Sequence, residues 1–354
     1  MSSQFRGTGS VQFRNRSGQR TVREVPDARR ETIAAACAAF AFDAVDARLH
    51  ASGENETWRI VVSTGDVYAL CLHRPGYRTP EQLASLPLWM LALADAEIRV
   101  PRPARSQSGV FAVPVPVADG HRFASATTWL PGTVLADELA RDAALGALSV
   151  QGSRLNRFRQ IGALLAALHE HARGWTPPTD FAAPALDRDG LVGEAPRWGR
   201  FWDHPDLTLD DRKLLLRARD LARERLGQSS RSLTLIHADL HPGNLLVHDE
   251  QLYLIDFDDA AWGYEPYDIA TALYHQQSRA DYLALRAALV EGYRSLRALT
   301  DVDLGDLPLF CLLRDMAVIG WLMQRPEMQA QGAGAFKALL TRVRAGCRSL
   351  LDGV

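Results

Sequence analysis

Leu233-Thr-Leu-Ile-His237-Ala-Asp239-Leu-His241-Pro-Gly-Asn244, with Ile255-Asp256-Phe257-Asp258-Asp259 downstream, is the stretch that decides how this chain is read. Leu233 to Ile236 is a short apolar run, as expected of a strand that feeds a loop. Leu245 to Val247 and Leu252 to Ile255 predict a small hairpin between the two polar clusters. Such a hairpin returns the chain so that Asp256 faces Asn244 across one site. A single Asp or Asn in a loop commonly only fixes a turn or caps a helix. His237, Asp239, Asn244 and Asp256 together, each after an apolar strand, point instead to chemistry. A carboxylate and an amide carbonyl suit a hard divalent cation, which prefers oxygen ligands. Asp239, ahead of Asn244, is placed to accept a proton from an incoming alcohol.

The same run fits the H-x-D-L-x-x-x-N pattern, and Asp256-Phe257-Asp258 stands where D-F-G would follow. His237 to Asn244 with Ile255 to Asp259 resembles the signature of the aminoglycoside phosphotransferase and choline kinase group. Protein kinases usually carry Arg after the first His and Gly after D-F; this chain has Ala238 and Asp258. The resemblance implies an α+β, two-lobed, protein-kinase-like fold with a strand-rich N-terminal lobe and a mainly helical C-terminal lobe. It implies ATP and Mg²⁺ as cofactors, Asp239 as catalytic base, and Asn244 and Asp256 as metal ligands. Tyr267-Asp268-Ile-Ala270 resembles the group's following helix start, where the Asp braces the catalytic loop. The resemblance runs weakly over residues 50 to 325. Leu72 to Tyr77 and Trp198 to Trp202 look like bacterial homoserine-kinase-like or stress-response-kinase-like relatives.

Working outward, residues 1–27 are polar and Arg-rich and predict a disordered tail. A lobe of residues 28–130 follows, then a lobe of residues 131–354, joined at Leu130-Pro131-Gly132. In the first, a helix is expected over Ala28 to Phe40, and a hairpin of Trp58 to Val62 and Val67 to Leu72 around Thr64-Gly65-Asp66. A second helix, Pro80 to Ala94, contains Pro87, which predicts a split or kink. Ile98 to Pro116 alternates prolines with valines, as extended edge segments do. In the second, helices are expected over Leu155 to His171, Leu209 to Leu226, Ala280 to Leu299, Asp306 to Met323 and Gly334 to Leu351. Trp175 to Trp202 reads as a long loop.

By resemblance the first lobe binds the nucleotide. Ser52 to Thr57, with Gly53, would cover the phosphates, although a surface turn explains it equally. Thr128 to Gly132, with Trp129, would be the hinge. The strand Tyr68-Ala69-Leu70-Cys71-Leu72 departs from the group: a Lys or Arg is expected two residues after Ala69, and Cys71 stands there. Three explanations remain open. Arg59 or Arg74 supplies the cation, the phosphates are held more weakly, or the protein is a nucleotide-binding pseudokinase.

Composition narrows the rest. The chain has 354 residues, 47% of them hydrophobic, with 40 Lys plus Arg against 42 Asp plus Glu and a net charge of −2. No global field recruits nucleic acid or an anionic membrane. Cys37, Cys71, Cys311 and Cys347 are far apart, which argues against a zinc site or a disulfide framework and fits a cytoplasmic protein. The resemblance implies a small molecule as partner, and the charge balance adds no expectation of nucleic acid or membrane. Asp258, Asp259, Glu265 and Glu291 are candidates for an ammonium on an amino alcohol, amino acid or aminosugar; capping helices or facing solvent explains them equally. His241 is a further substrate-side candidate. Trp262 and Tyr264 serve either an aromatic wall or core packing. A Ser/Thr protein kinase on the same fold is the alternative enzyme.

Overall fold

The computed structural model describes residues 10–11, 27–53, 55–145, 148–325 and 333–353. They fall into two compact units, one of residues 1–131 with 176–182, the other of residues 132–175 with 183–354. Most of the expected polar tail lies outside the described residues. Within it, Ser10–Val11 forms a strand, β1, paired with Ala47 and Arg48, so this part is not coil.

The first unit is one antiparallel sheet and two helices. Its strands β2 (Ala44–Ser52), β3 (Glu56–Val62), β4 (Val67–Leu72), β5 (Ala112–Val117) and β6 (Gly120–Thr128) lie in the order β1-β2-β3-β4-β6-β5. Alternation sets one face: Trp58 and Ile60 on β3, Leu70 and Leu72 on β4, Ala124 and Ala126 on β6 all point to the core. Helix α1 (Asp27–Ala39) covers that face with Ile33, Ala36 and Cys37. β5 is an edge strand, and Pro114 and Pro116 are exposed while Val113 and Val115 are buried. Proline without an N–H is tolerated at an edge.

Helix α2 (Pro80–Asp95) is not split at Pro87 and runs through it as a single element. Thr79 and Gln82 form a capping box, and the helix buries Leu83, Leu86, Trp89, Met90 and Leu93. That burial, at ~1.5–3 kcal/mol per large apolar side chain, is enough to offset an interior proline at ~3 kcal/mol.

The second unit is mainly helical. After β7 (Thr133–Val134) come α3 (Leu135–Leu145), α4 (Leu148–Gly174), β8 (Ala185–Leu186), α5 (Arg188–Val192) and α6 (Leu209–Gln228). β9 (Thr234–Ile236), the hairpin β10 (Leu245–His248) and β11 (Gln251–Leu254), and β12 (Ala261–Gly263) follow. The chain closes with α7 (Glu265–Leu273), α8 (Tyr282–Arg294), α9 (Asp301–Met323) and α10 (Ala333–Asp352). Helices α4 and α8 cross at two glycines. A Cβ on Gly162 would overlap the Leu289 carbonyl oxygen, and one on Gly292 would overlap that of Arg159. The segment expected as a long loop, 175–202, contains β8, α5 and the start of a 3-10 turn at Phe201–Asp203.

Candidate active site

β9 delivers the chain to His237, and the loop from there to Asn244 is fixed from below by a buried carboxylate. Asp268, on α7, is fully buried. Its Oδ2 accepts the His237 N–H at 2.9 Å and its Oδ1 the Ala238 N–H at 2.6 Å. Asp268 thus braces the loop rather than capping its own helix. Ala238 has φ +65°, a left-handed conformation that costs a non-glycine residue about 1–3 kcal/mol. The Asp268 acceptors hold it there. His169 on α4 contacts Asp268 Oδ2 at 3.2 Å through Nε2 and Tyr293 at 3.0 Å through Nδ1.

His237 is buried between its neighbours. Its Nδ1 accepts the Asp239 N–H at 3.3 Å, which assigns the ring proton to Nε2, 3.1 Å from the Ile255 carbonyl. Burial lowers its pKa, against the opposing pull of Asp268 and Asp239, so the ring is neutral. One imidazole therefore ties the Asp239 loop to the strand end that carries Asp256.

Asp239 and Asn244 are brought together. Asn244 Nδ2 donates to the Asp239 carbonyl at 3.0 Å and to Asp239 Oδ2 at 2.8 Å. The Ile255 N–H donates to the Asn244 carbonyl at 3.0 Å, so β10 and β11 place Asp256 next to this pair. Arg314, on α9, donates to Asp239 Oδ1 at 2.5 Å. Burial pushes the Asp239 carboxyl up, but Arg314, then His241 and His237, hold it well below the usual carboxylate range. Asp256 moves the other way. Although exposed to solvent on one side, it is raised well above the ordinary value by lost hydration and by the carboxylates of Asp258, Asp239 and Asp259. Asp256 also has φ +65°.

His241 joins the cluster: its Nε2 lies 3.5 Å from Asp239 Oδ2 and its Nδ1 accepts the Gly243 N–H. Asp258 joins through its N–H, which donates to Asp256 Oδ1 at 3.4 Å. Glu265 has a different environment. Arg297 at 2.8 Å and Arg173 at 2.9 Å hold its carboxylate, and Arg297 continues to the Tyr293 hydroxyl at 2.6 Å. Two guanidiniums neutralise the charge that an ammonium would need. Glu291 is paired with Arg159 at 2.8 Å. Trp262 lies in β12, and Tyr264 packs its ring against Phe310.

The nucleotide-side candidates all lie in the first unit. Arg59 on β3 is in register with Ala69 on β4, and its guanidinium sits 5.6 Å from the Trp129 ring centroid. The Trp129 N–H donates to Val67 at 2.9 Å, so the sheet gathers Arg59, Ala69 and Trp129. Gly53 sits at the other end of β3, in the β2–β3 turn, where an added Cβ would meet no atom within 4 Å. Glu54 of that turn is outside the described residues. The Arg74 N–H donates to Asn55. Cys71 shares a sheet face with His73, their Sγ and Nδ1 being 3.8 Å apart, and His73 Nε2 lies 2.7 Å from the Ser125 hydroxyl. The chain has two lysines, Lys213 and Lys337, and both fall in the second unit. Any cation that the first unit offers is an Arg or a His.

The sequence reading missed Arg314 and His73. Arg314 lies 75 residues from Asp239 on an ordinary-looking helix, with no local motif to mark it. His73 was legible in principle, because strand alternation puts residue 73 on the side of Cys71.

An antiparallel sheet unit and a helical unit with this loop are the architecture of kinase-like phosphotransferases. The family model described as the phosphotransferase enzyme family matches residues 46–299, and the chain belongs to that family. It is a kinase, a phosphotransferase with an alcohol group as acceptor. An uncharacterised protein of Deinococcus radiodurans is 30% identical over 283 residues, 77% of this chain and 75% of that protein. A homoserine kinase of Sinorhizobium fredii is 28% identical over 63% of this chain and 65% of its own length, so the chain spans slightly less than two thirds of that relative. Among solved structures, a microcompartment-associated aminopropanol kinase superposes with a TM-score of 0.76 at 28% identity, over 91% of this chain and 98% of that one. No helix among the described residues is long and apolar enough to cross a membrane.

Proposed function

We propose that the chain transfers the γ-phosphoryl group of ATP, with Mg²⁺, to a hydroxyl of a small molecule that is an amino alcohol, amino acid or aminosugar. The observation that carries this reading is the Asp239 carboxylate, fixed at one oxygen by Asn244 and at the other by Arg314. It is anionic at neutral pH and its orientation is set before substrate arrives. Asp239 orients the acceptor hydroxyl and takes its proton as the new O–P bond forms and the hydroxyl becomes acidic. His241 stands beside the same carboxylate and Asp258 beside Asp256, and both are assigned to the acceptor side.

The donor atoms present fit Mg²⁺. Asn244 spends its amide N–H groups on Asp239, which leaves Oδ1 as the oxygen for a hard cation. Asp256 sits among carboxylates whose mutual repulsion a divalent charge relieves. Asn244 and Asp256 would hold the ion, and it would neutralise charge on the phosphate oxygens. Gly53, Arg59, Ala69 and Trp129 are assigned to the nucleotide. Two kinases similar to this chain, one a solved structure and one a curated relative, act by name on aminopropanol and homoserine. Both names denote small amino-bearing alcohols.

The test is ATP turnover with Mg²⁺ over a panel of amino alcohols, amino acids, aminosugars and peptides. Asp239→Asn is expected to lose roughly 10²–10⁴-fold in kcat on whichever acceptor works. Equal turnover by wild type and variant would sink the reading. Transfer to peptides alone would favour a Ser/Thr protein kinase, and nucleotide binding that ignores Mg²⁺ a pseudokinase.

A further inference from the structure

Alternation sorts β4 into two faces. Leu70 and Leu72 point to the core, so Ala69, Cys71 and His73 share the other face. Thr57 and Arg59 of β3 stand opposite Cys71 and Ala69, and Ser125 of β6 stands opposite Cys71 on the far side. Cys37, Cys311 and Cys347 are buried, and lost hydration pushes each thiol up to about 12. Cys71 is the half-buried one of the four, and so within reach of an ion from solvent. The His73 Nδ1 lies 3.8 Å from its Sγ. The Ser125 hydroxyl lies 2.7 Å from His73 Nε2, placed to take the ring proton there and leave the Nδ1 lone pair on the side of the sulfur. The backbone is fixed around both groups. The His73 N–H donates to the Phe123 carbonyl at 2.8 Å, and Arg122 donates to the His73 carbonyl at 2.9 Å and the Leu72 carbonyl at 2.6 Å.

A zinc ion lies about 2.3 Å from a thiolate and about 2.0 Å from an imidazole nitrogen, and at a tetrahedral angle such bonds hold the two donors about 3.6 Å apart. Cys71 and His73 already stand near that span. A second ring nitrogen tied to a neighbouring acceptor is the usual state of a metal-bound imidazole. The wide spacing of the cysteines speaks against a site made of cysteines and leaves a Cys–His pair open. From these contacts we propose that Cys71 and His73 hold a Zn²⁺ ion that stands in for the lysine expected two residues after Ala69. Binding releases the thiol proton to solvent. Zn²⁺ with one thiolate and one neutral imidazole carries a single net positive charge, the charge of the absent amine. Two protein ligands leave two of the four positions open, and phosphate oxygens of the nucleotide suit them. The inference rests on the reading of the first unit as the nucleotide-binding one.

The test titrates the full chain, without a histidine tag, with Co²⁺ and then Zn²⁺ in excess Mg²⁺, which keeps oxygen-ligand sites filled. Co²⁺ reports a thiolate ligand by charge-transfer absorption in the near ultraviolet, and Zn²⁺ is expected to displace it. Cys71→Ser is expected to abolish the band, and Ser125→Ala to weaken metal binding about 10- to 100-fold. With Zn²⁺ bound, the wild type is expected to hold ADP at least about 5-fold more tightly, with no such gain in Cys71→Ser and none for adenosine, which has no phosphate. Zinc held by free ADP is the same for both chains, so the comparison cancels it. No band, a band that survives Cys71→Ser, or ADP binding that is absent, unchanged or weakened by Zn²⁺ overturns the inference. Phosphoryl transfer with Mg²⁺ by a chain that binds no zinc would overturn it and leave the proposed function standing. Zinc binding coupled to ADP, without transfer to any acceptor, would do the reverse.

Discussion

At the scale of single residues, the site depends on groups that never meet substrate. Asp268 satisfies two backbone N–H groups of the loop and faces His169 in a fully buried setting. Asp268→Ala leaves all three without their acceptor, and is expected to cost about 3–5 kcal/mol of stability. Chemical denaturation measures it; a loss below ~1 kcal/mol would show that the loop holds itself. His237 adds a pH dependence. Its folded pKa lies below that of the unfolded chain, so between the two values only the unfolded chain binds the proton. Stability falls as pH drops through that window and is unaffected above it, by at most about 1.4 kcal/mol per pH unit. Between pH 7 and pH 5 the wild type is expected to lose stability relative to His237→Gln; parallel curves would mean that the ring is not buried neutral. Asp239, Asn244 and Asp256 were legible in the sequence because loop and hairpin place them locally. Arg314 was not, because tertiary packing alone brings α9 to the loop.

Among the elements, periodicity found the long helices and the central hairpins, and it failed where an element is too short to have a period. β7 and β8 are two residues each, and they exist because β10 and β12 offer them partners. Pro87 does not split α2 for a related reason: buried contacts along the helix outweigh a local penalty. The α4–α8 crossing gives a test of packing. Gly292→Ala sets a methyl against the Arg159 carbonyl, and overpacking of this kind costs about 1–3 kcal/mol. A fall in Tm on the order of 5 °C is expected. Gly305→Ala on α9 is the control, since its Cβ would meet no atom within 4 Å and it is exposed. It should hold or raise Tm, because alanine outranks glycine in a helix. Equal effects from the two would mean that the helices do not approach as described.

For the whole molecule, ligand linkage is the broadest check on the proposed cofactors. ATP with Mg²⁺ at about 100 times its Kd is expected to stabilise the fold by about 2.7 kcal/mol, read as a rise in Tm, and chelation should remove most of it. An identical shift with and without Mg²⁺ would argue that Asn244 and Asp256 hold no ion. The division near residue 131 was visible as a change from strand to helix patterning, whereas the return of residues 176–182 to the first unit was not, since no local pattern marks it. Cys71 has one more consequence, for chemical labelling. Acyl-phosphate analogues of ATP mark kinases by acylating a lysine amine beside the phosphates, and the first unit contains no lysine to acylate. Proteome-wide profiling with such probes would pass over this protein even when it is folded and saturated with nucleotide. By the resemblance the half-buried Cys71 thiol takes the position of that amine, so an ATP analogue armed for sulfur rather than nitrogen is the reagent to count it with.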